Sequence, residues 1–237
     1  MKWVLTFALL FPVFWKFTIA ENTLSENKFT FKVEAPVQYQ VIQRSDQNYG
    51  WVDVQVSATV PPPSNIQLEY RLVINGKIGT WGEVDGEWKN GKFIFRIRMP
   101  SGGWYTLEVR DSRTPDHRSQ VVQFGVGEVF VVAGQSNSGN YGEVKQSTQT
   151  GLVSAYDFEN KKWQLAVDPQ PGAGGRGGSI MPLLGDLLVR EFEMPIGILA
   201  YGQGGTSVRE WLLQGSRFPN PPTVENKVRK INDGEWE

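Results

Sequence analysis

The chain has 237 residues with 40% hydrophobic content, enough for a real core in one large domain or two small ones rather than a disordered polypeptide. Its formal net charge of -1, with no dense run of Lys or Arg, lacks the electrostatic footprint of a nucleic-acid or anionic-membrane binder, so neutral partners are expected. With no cysteine and a single histidine, the chain cannot assemble the thiolate and imidazole ligand sets of zinc, copper or iron-sulfur sites, and no cofactor is expected.

Residues 1–20 run from Met1-Lys2 through an apolar stretch, Trp3 to Trp15, to Thr18 and Ala20, spaced like a small-residue cleavage site. This reads as a signal peptide cut after about Ala20, giving a secreted or periplasmic protein with no stable membrane association after cleavage. Lys16 interrupts the pattern and leaves an uncleaved anchor or buried segment open. The apolar run is too short to span a bilayer comfortably.

From 25 to 125 the chain shows short runs with period-two alternation, among them Trp51-Val-Asp-Val-Gln-Val56, Phe93-Ile-Phe-Arg-Ile97 and Trp104-Tyr-Thr-Leu-Glu-Val109. Turn residues at Pro61-Pro-Pro, Asn75-Gly, Asn90-Gly and Ser101-Gly-Gly punctuate them, which predicts an antiparallel β-sandwich. Trp81, Trp88 and Trp104 are either sugar-stacking faces or core anchors of this unit. His117, in Asp111-Ser-Arg-Thr-Pro-Asp-His117, reads as an exposed loop residue.

After Gly127 the pattern changes to buried strands followed by amphipathic helices, so 127–237 is expected to be α/β. Val129 to Ala133 is a continuous apolar run, suited to a parallel strand covered on both faces, and it delivers Ser136 onto the turn Gly134-Gln-Ser-Asn-Ser-Gly139. A serine so placed is a candidate nucleophile, needing a base for its proton and donors for the oxyanion. The alternative is a polar turn with Asn137 or Ser138 capping a helix. Gly172-Ala-Gly-Gly-Arg-Gly177 has G-x-G-x-x-G spacing, but the prolines before it argue against a dinucleotide fingerprint. The preferred functional reading is a mobile loop over the site, with Arg176 or Ser179 touching substrate.

Ser179 is a natural N-cap for a helix whose stripe Ile180, Leu183, Leu184, Leu187 and Leu188 is expected against a sheet. Pro195 to Ala200 predicts a second short strand, and Ser207-Val-Arg-Glu210 matches a capping box. Between them Gly204 and Gly205 can donate backbone amides to an oxyanion or simply form a tight connection. Trp211 is a substrate neighbour or a packing residue. The tail from Phe218 carries no helix-length apolar stripe.

Gly134-Gln-Ser-Asn137, then Gly177-Gly-Ser179, then Pro195-Ile-Gly and Gly204-Gly-Thr-Ser-Val-Arg-Glu-Trp211, in this order and spacing, resemble the sialate O-acetylesterase-like carbohydrate esterases of the SGNH hydrolase superfamily. The resemblance implies a β-sandwich followed by an incomplete α/β SGNH-type domain, flavodoxin-like and three-layered. It further implies Ser136 as nucleophile, its amide and Gly205 or Gly204 as oxyanion hole, and Gln135, Asn137, Ser179 and Trp211 beside an acetylated carbohydrate substrate. The family's Q-G-E block and its D-x-x-H pair are not present, so the expectation is a C-terminally truncated, inactive acetylesterase: a fragment, an early-terminated frame or a degenerate relative. The competing reading is a non-catalytic carbohydrate-binding or adhesion module in which the β-sandwich is the working part, or a pseudoenzyme.

Overall fold

A computed structural model describes residues 29–62, 66–86 and 88–216. The expected leader (1–20) and the polar tail lie outside the described residues. Alternation governs the first half: in 51–56 the valines Val52, Val54 and Val56 are fully buried while Trp51 and Asp53 point to solvent.

In chain order the strands are β1 (Phe31–Ala35), β2 (Val41–Gln43), β3 (Tyr49–Ala58), β4 (Leu68–Ile74), β5 (Lys77–Ile78), β6 (Gly82–Glu83), β7 (Trp88–Lys89), β8 (Lys92–Pro100), β9 (Gly102–Asp111), β10 (Thr114–Gly134), β11 (Val153–Asp157), β12 (Lys162–Leu165) and β13 (Ile196–Gly202). A single α-helix, α1 (Met181–Phe192), lies between β12 and β13. One sheet runs β1-β3-β8-β7; the other runs β12-β11-β13-β10-β9-β4-β5. The first sheet faces the β4, β9 and early β10 part of the second across a core of Val52, Val54, Phe95, Ile97, Met99, Leu107, Val109 and Phe124. This is a sandwich of two inner faces, each contributing every second residue.

β10 belongs to both halves. Its first part pairs antiparallel with β9 and its last part, Glu128 to Gly134, pairs parallel with β13, which also pairs parallel with β11. The change of sequence pattern near Gly125 therefore coincides with a change of pairing partner inside one unbroken strand. Around β11 and β13 a smaller core of Val153, Ala155, Met181, Val189, Ile196 and Ile198 packs α1 onto one sheet face.

The expected fold class, a sandwich followed by an incomplete three-layer α/β domain, is corrected here. The described residues hold thirteen strands and one α-helix, with helix on one side of β10 and β13 only. Val129 to Ala133 is not covered on both faces either, since Val131 is 65% exposed. The run of apolar residues arises because Phe130 and Val132 pack inward while Val131 points outward, and an uninterrupted apolar run does not distinguish one covered face from two.

Helix α1 also sits differently from its sequence reading. Met181, Pro182, Gly185, Asp186 and Val189 are its buried residues, whereas Ile180, Leu183, Leu184 and Leu187 are exposed.

Candidate functional site

β10 and β13 end side by side, with Gly134 opposite Gly202 and the Gln203 amide donating to the Gly134 carbonyl at 2.8 Å. Both chains therefore leave the sheet at one edge, the place where parallel sheets present ligand sites. After Gly134 the chain forms a short 3-10 turn, Ser136–Ser138, closed by Ser138 N–H and Oγ–H bonds to the Gln135 carbonyl at 2.9 and 2.7 Å. Half-buried Ser136 opens into a cleft of about 680 Å³ with a polar end, Ser136 and Asn137, and an apolar wall of Tyr141, Val144, Ile180, Leu183, Leu184 and Leu187.

Of the residues expected at a catalytic site, Ser136, Asn137 and Ser179 line this cleft, while Gln135 is exposed on the turn. The Ser136 hydroxyl donates to the Gln135 side-chain carbonyl at 3.3 Å, an amide that cannot act as a base at neutral pH. Among the described residues no His, Asp, Glu or Lys lines the cleft. Gly204 lies against the Tyr141 phenol and Gly205 adopts a left-handed φ of 81°, but neither is among the lining residues. Trp211 donates its indole N–H to Thr206 at 3.2 Å and is not among the residues lining the cleft. His117 is not a loop residue: it is half-buried at the start of β10, 3.3 Å from the Thr114 hydroxyl. No group of three or more His, Asp or Glu able to hold a metal occurs among the described residues.

Ser179 is committed elsewhere. Its hydroxyl donates to Asp168 at 2.6 Å and its amide at 2.8 Å, while the same hydroxyl accepts from Met181 N–H at the start of α1. The loop expected to be mobile is instead stapled. Asn140, 1% exposed, donates to the carbonyls of Gln170 and Ala173 and accepts from Gln170 N–H, and backbone bonds tie Gly174 to Gly202 and Gly177 to Asn140. Gly177 and Gly178 are glycines because the carbonyls of Gly142 and Val144 occupy the space of any Cβ. That packing accounts for the glycine-rich string without a nucleotide, and Arg176 points to solvent.

Two carboxylates that hold the cleft together have no local sequence signature. Asp168 accepts from Gln146 N–H, Gln170 and Ser179; Asp186 accepts from Thr148 and Thr150 hydroxyls and from the Gln149 and Thr150 amides. Burial of Asp186 alone pushes its pKa up. The four donors outweigh that and hold it below the ordinary carboxylate value.

The tryptophans of the sandwich separate into used and available faces. Trp81 is flanked by the guanidiniums of Arg71 and Arg110, Trp88 packs on Phe29 and Phe93, and Trp104 meets Tyr39 and donates to the Gly151 carbonyl at 2.9 Å. All three rings already have packing partners and are only partly exposed. Trp51 is 46% exposed on the outer face of β3, edge-on to Tyr49 at 6.2 Å, opposite Arg98 on β8. The neighbouring cross-strand pair is Asp53 and Arg96, joined by two hydrogen bonds of 2.5 and 2.8 Å that hold the Asp53 carboxyl below its usual pKa. An aromatic on the polar phase of an alternating strand is the sequence signal for this patch, visible in Trp51-Val-Asp-Val.

No family model matches this chain, and no curated protein matches it. Among solved structures it is similar to the CARDB domain of a Pyrococcus furiosus protein, in complex with di-metal ions, at 12% identity and a TM-score of 0.26, over 42% of this chain and 88% of that one. A likeness at that level carries no argument about ligand or activity. The resemblance to sialate O-acetylesterase-like esterases of the SGNH superfamily is therefore corrected. No family match supports it, and the described fold is strand-dominated with one α-helix. Short glycine-serine blocks arise from turn and close-approach demands, as at Gly177 and Gly178, without common descent.

Proposed function

We propose that this protein is an exported, non-catalytic carbohydrate-binding module whose working part is the β-sandwich. The observation that carries this is the free face of Trp51 on the outer sheet, with hydrogen-bonding groups of Asp53, Arg96 and Arg98 around it. A flat indole suits the C–H face of a pyranose, and polar groups at its rim meet the hydroxyls. The cleft at Ser136 supports the non-catalytic half of the reading. Its serine is bonded to an amide, and the described residues that line it include no base.

The test is retention of the purified chain on immobilised polysaccharides, with Trp51→Ala beside wild type and hydrolysis of an activated acetate ester followed in parallel. Binding that Trp51→Ala abolishes, with no turnover, is the expected result. Turnover that disappears in Ser136→Ala would overturn the non-catalytic reading and return Ser136 to the role of nucleophile.

A further inference from the structure

Arg98 sets the chemical class of the sugar. On β8 it stands directly opposite Trp51, and its guanidinium carbon lies 3.7 Å over the Tyr49 ring. Among the described residues Arg98 has no carboxylate partner. This contrasts with Arg44, Arg71, Arg96 and Arg110, which pair with Glu128, Glu108, Asp53 and Glu69. A guanidinium seated over an aromatic ring engages it through its flat face. Its N–H donors lie in the plane, and a planar fork of this kind matches a carboxylate bidentately. A shallow depression of about 290 Å³ at Asn48, Tyr49, Arg98 and Pro100 adjoins it, large enough for a carboxylate but not for a whole oligosaccharide.

Resting on the carbohydrate reading above, we propose that the outer face of β3 and β8 recognises a carboxylate-bearing pyranose of the uronic acid class. The ring lies on Trp51 and the carboxylate on Arg98. Charge complementarity favours an anion here, because Arg98 has no ion-pair partner among the described residues whereas the cation next along the face, Arg96, is already neutralised by Asp53. Tyr49 acts as a positioning residue: by holding the guanidinium flat it fixes the direction of the fork, as stacked arginines do.

The proposal is tested by NMR titration of the full chain with methyl glucuronide, methyl glucoside and sodium acetate, in wild type, Arg98→Gln and Trp51→Ala. Wild type should prefer the glucuronide over the glucoside by about fivefold, the size of one exposed charge-assisted contact, and lose that preference at high salt. Arg98→Gln should bind both sugars equally, and Trp51→Ala neither. Equal binding of the two sugars by wild type, or a preference that survives Arg98→Gln, would overturn the uronic acid assignment and leave the carbohydrate reading standing. Failure of both sugars to bind would remove that reading and this one together. Acetate competing as well as the glucuronide would show an anion site rather than a sugar site, also overturning the assignment.

Discussion

Replacing Asp186 by Asn tests whether a buried, unpaired carboxylate anchors the wall of the cleft. Asp186 is 3% exposed and accepts from Thr148 Oγ1 at 2.7 Å, Thr150 Oγ1 at 2.6 Å, Thr150 N–H at 3.1 Å and Gln149 N–H at 2.7 Å. An amide keeps the shape and removes the charge. With its oxygen left where three donors converge, its NH₂ points at the Gln149 N–H, donor against donor. Loss of one charge-assisted bond together with an orphaned buried donor costs about 3 kcal/mol, each part being on the order of 1–3 kcal/mol. For a chain of this size 1 kcal/mol shifts Tm by about 2–4 °C, so Asp186→Asn should melt about 6–12 °C lower at pH 7.

Acid titration supplies the sign. The folded-state pKa of Asp186 lies below the reference value of 3.8, so its stabilisation is complete above that value and is lost as pH falls through the folded pKa. Thermal unfolding followed by tryptophan fluorescence should show the two proteins converging as pH drops below 3.8, and parallel above it. A Tm within about 2 °C of wild type at pH 7, the range of ordinary surface substitutions, would refute the anchor.

Two further predictions follow the same geometry. Leu187 is 59% exposed and Val189 is 6% exposed, so Leu187→Glu should change stability by no more than about 0.5 kcal/mol while Val189→Glu, burying a charge, prevents folding of the smaller core. Chemical denaturation of the pair decides between the observed helix orientation and the one its leucine stripe suggests. Asn140→Ala removes three hydrogen bonds that close the 170–174 loop, at a cost of about 2–4 kcal/mol, and limited proteolysis should then cut near Arg176 faster than in wild type.

Legibility in the sequence tracked the range of the interaction. Strand residues such as Val52, Val54, Phe93 and Leu107 were readable because alternation is a property of neighbours two apart, and each falls on the buried phase. The turn at Ser136 was readable for the same reason, since a glycine-flanked polar segment after an apolar run is local. Asp168, Asn140 and Asp186 were not readable. Each bonds to segments that lie up to 38 residues away, and nothing near it in sequence announces the partner. Trp51 lay in plain view on the polar phase of its strand, while attention to Trp81, Trp88 and Trp104 pointed to rings the fold consumes.

The orientation of α1 shows why apolar periodicity alone misleads. Its leucines at 183, 184 and 187 form a more hydrophobic stripe than the face that packs, which holds Met181, Pro182, Gly185, Asp186 and Val189. Yet Gly185 lies where a side chain would meet Val153, so the helix backbone can approach the sheet only along that face. Asp186, next to it, is then carried to the Thr148–Thr150 loop, where four donors await a carboxylate that would otherwise be costly to bury. Turning the leucines inward would push Asp186 into solvent, orphan those buried donors and lose the close contact at Gly185. On residue-by-residue hydrophobicity the leucine face wins; close approach and satisfaction of buried polar groups reverse the outcome, and the displaced leucines become the apolar wall of the cleft beside Ser136.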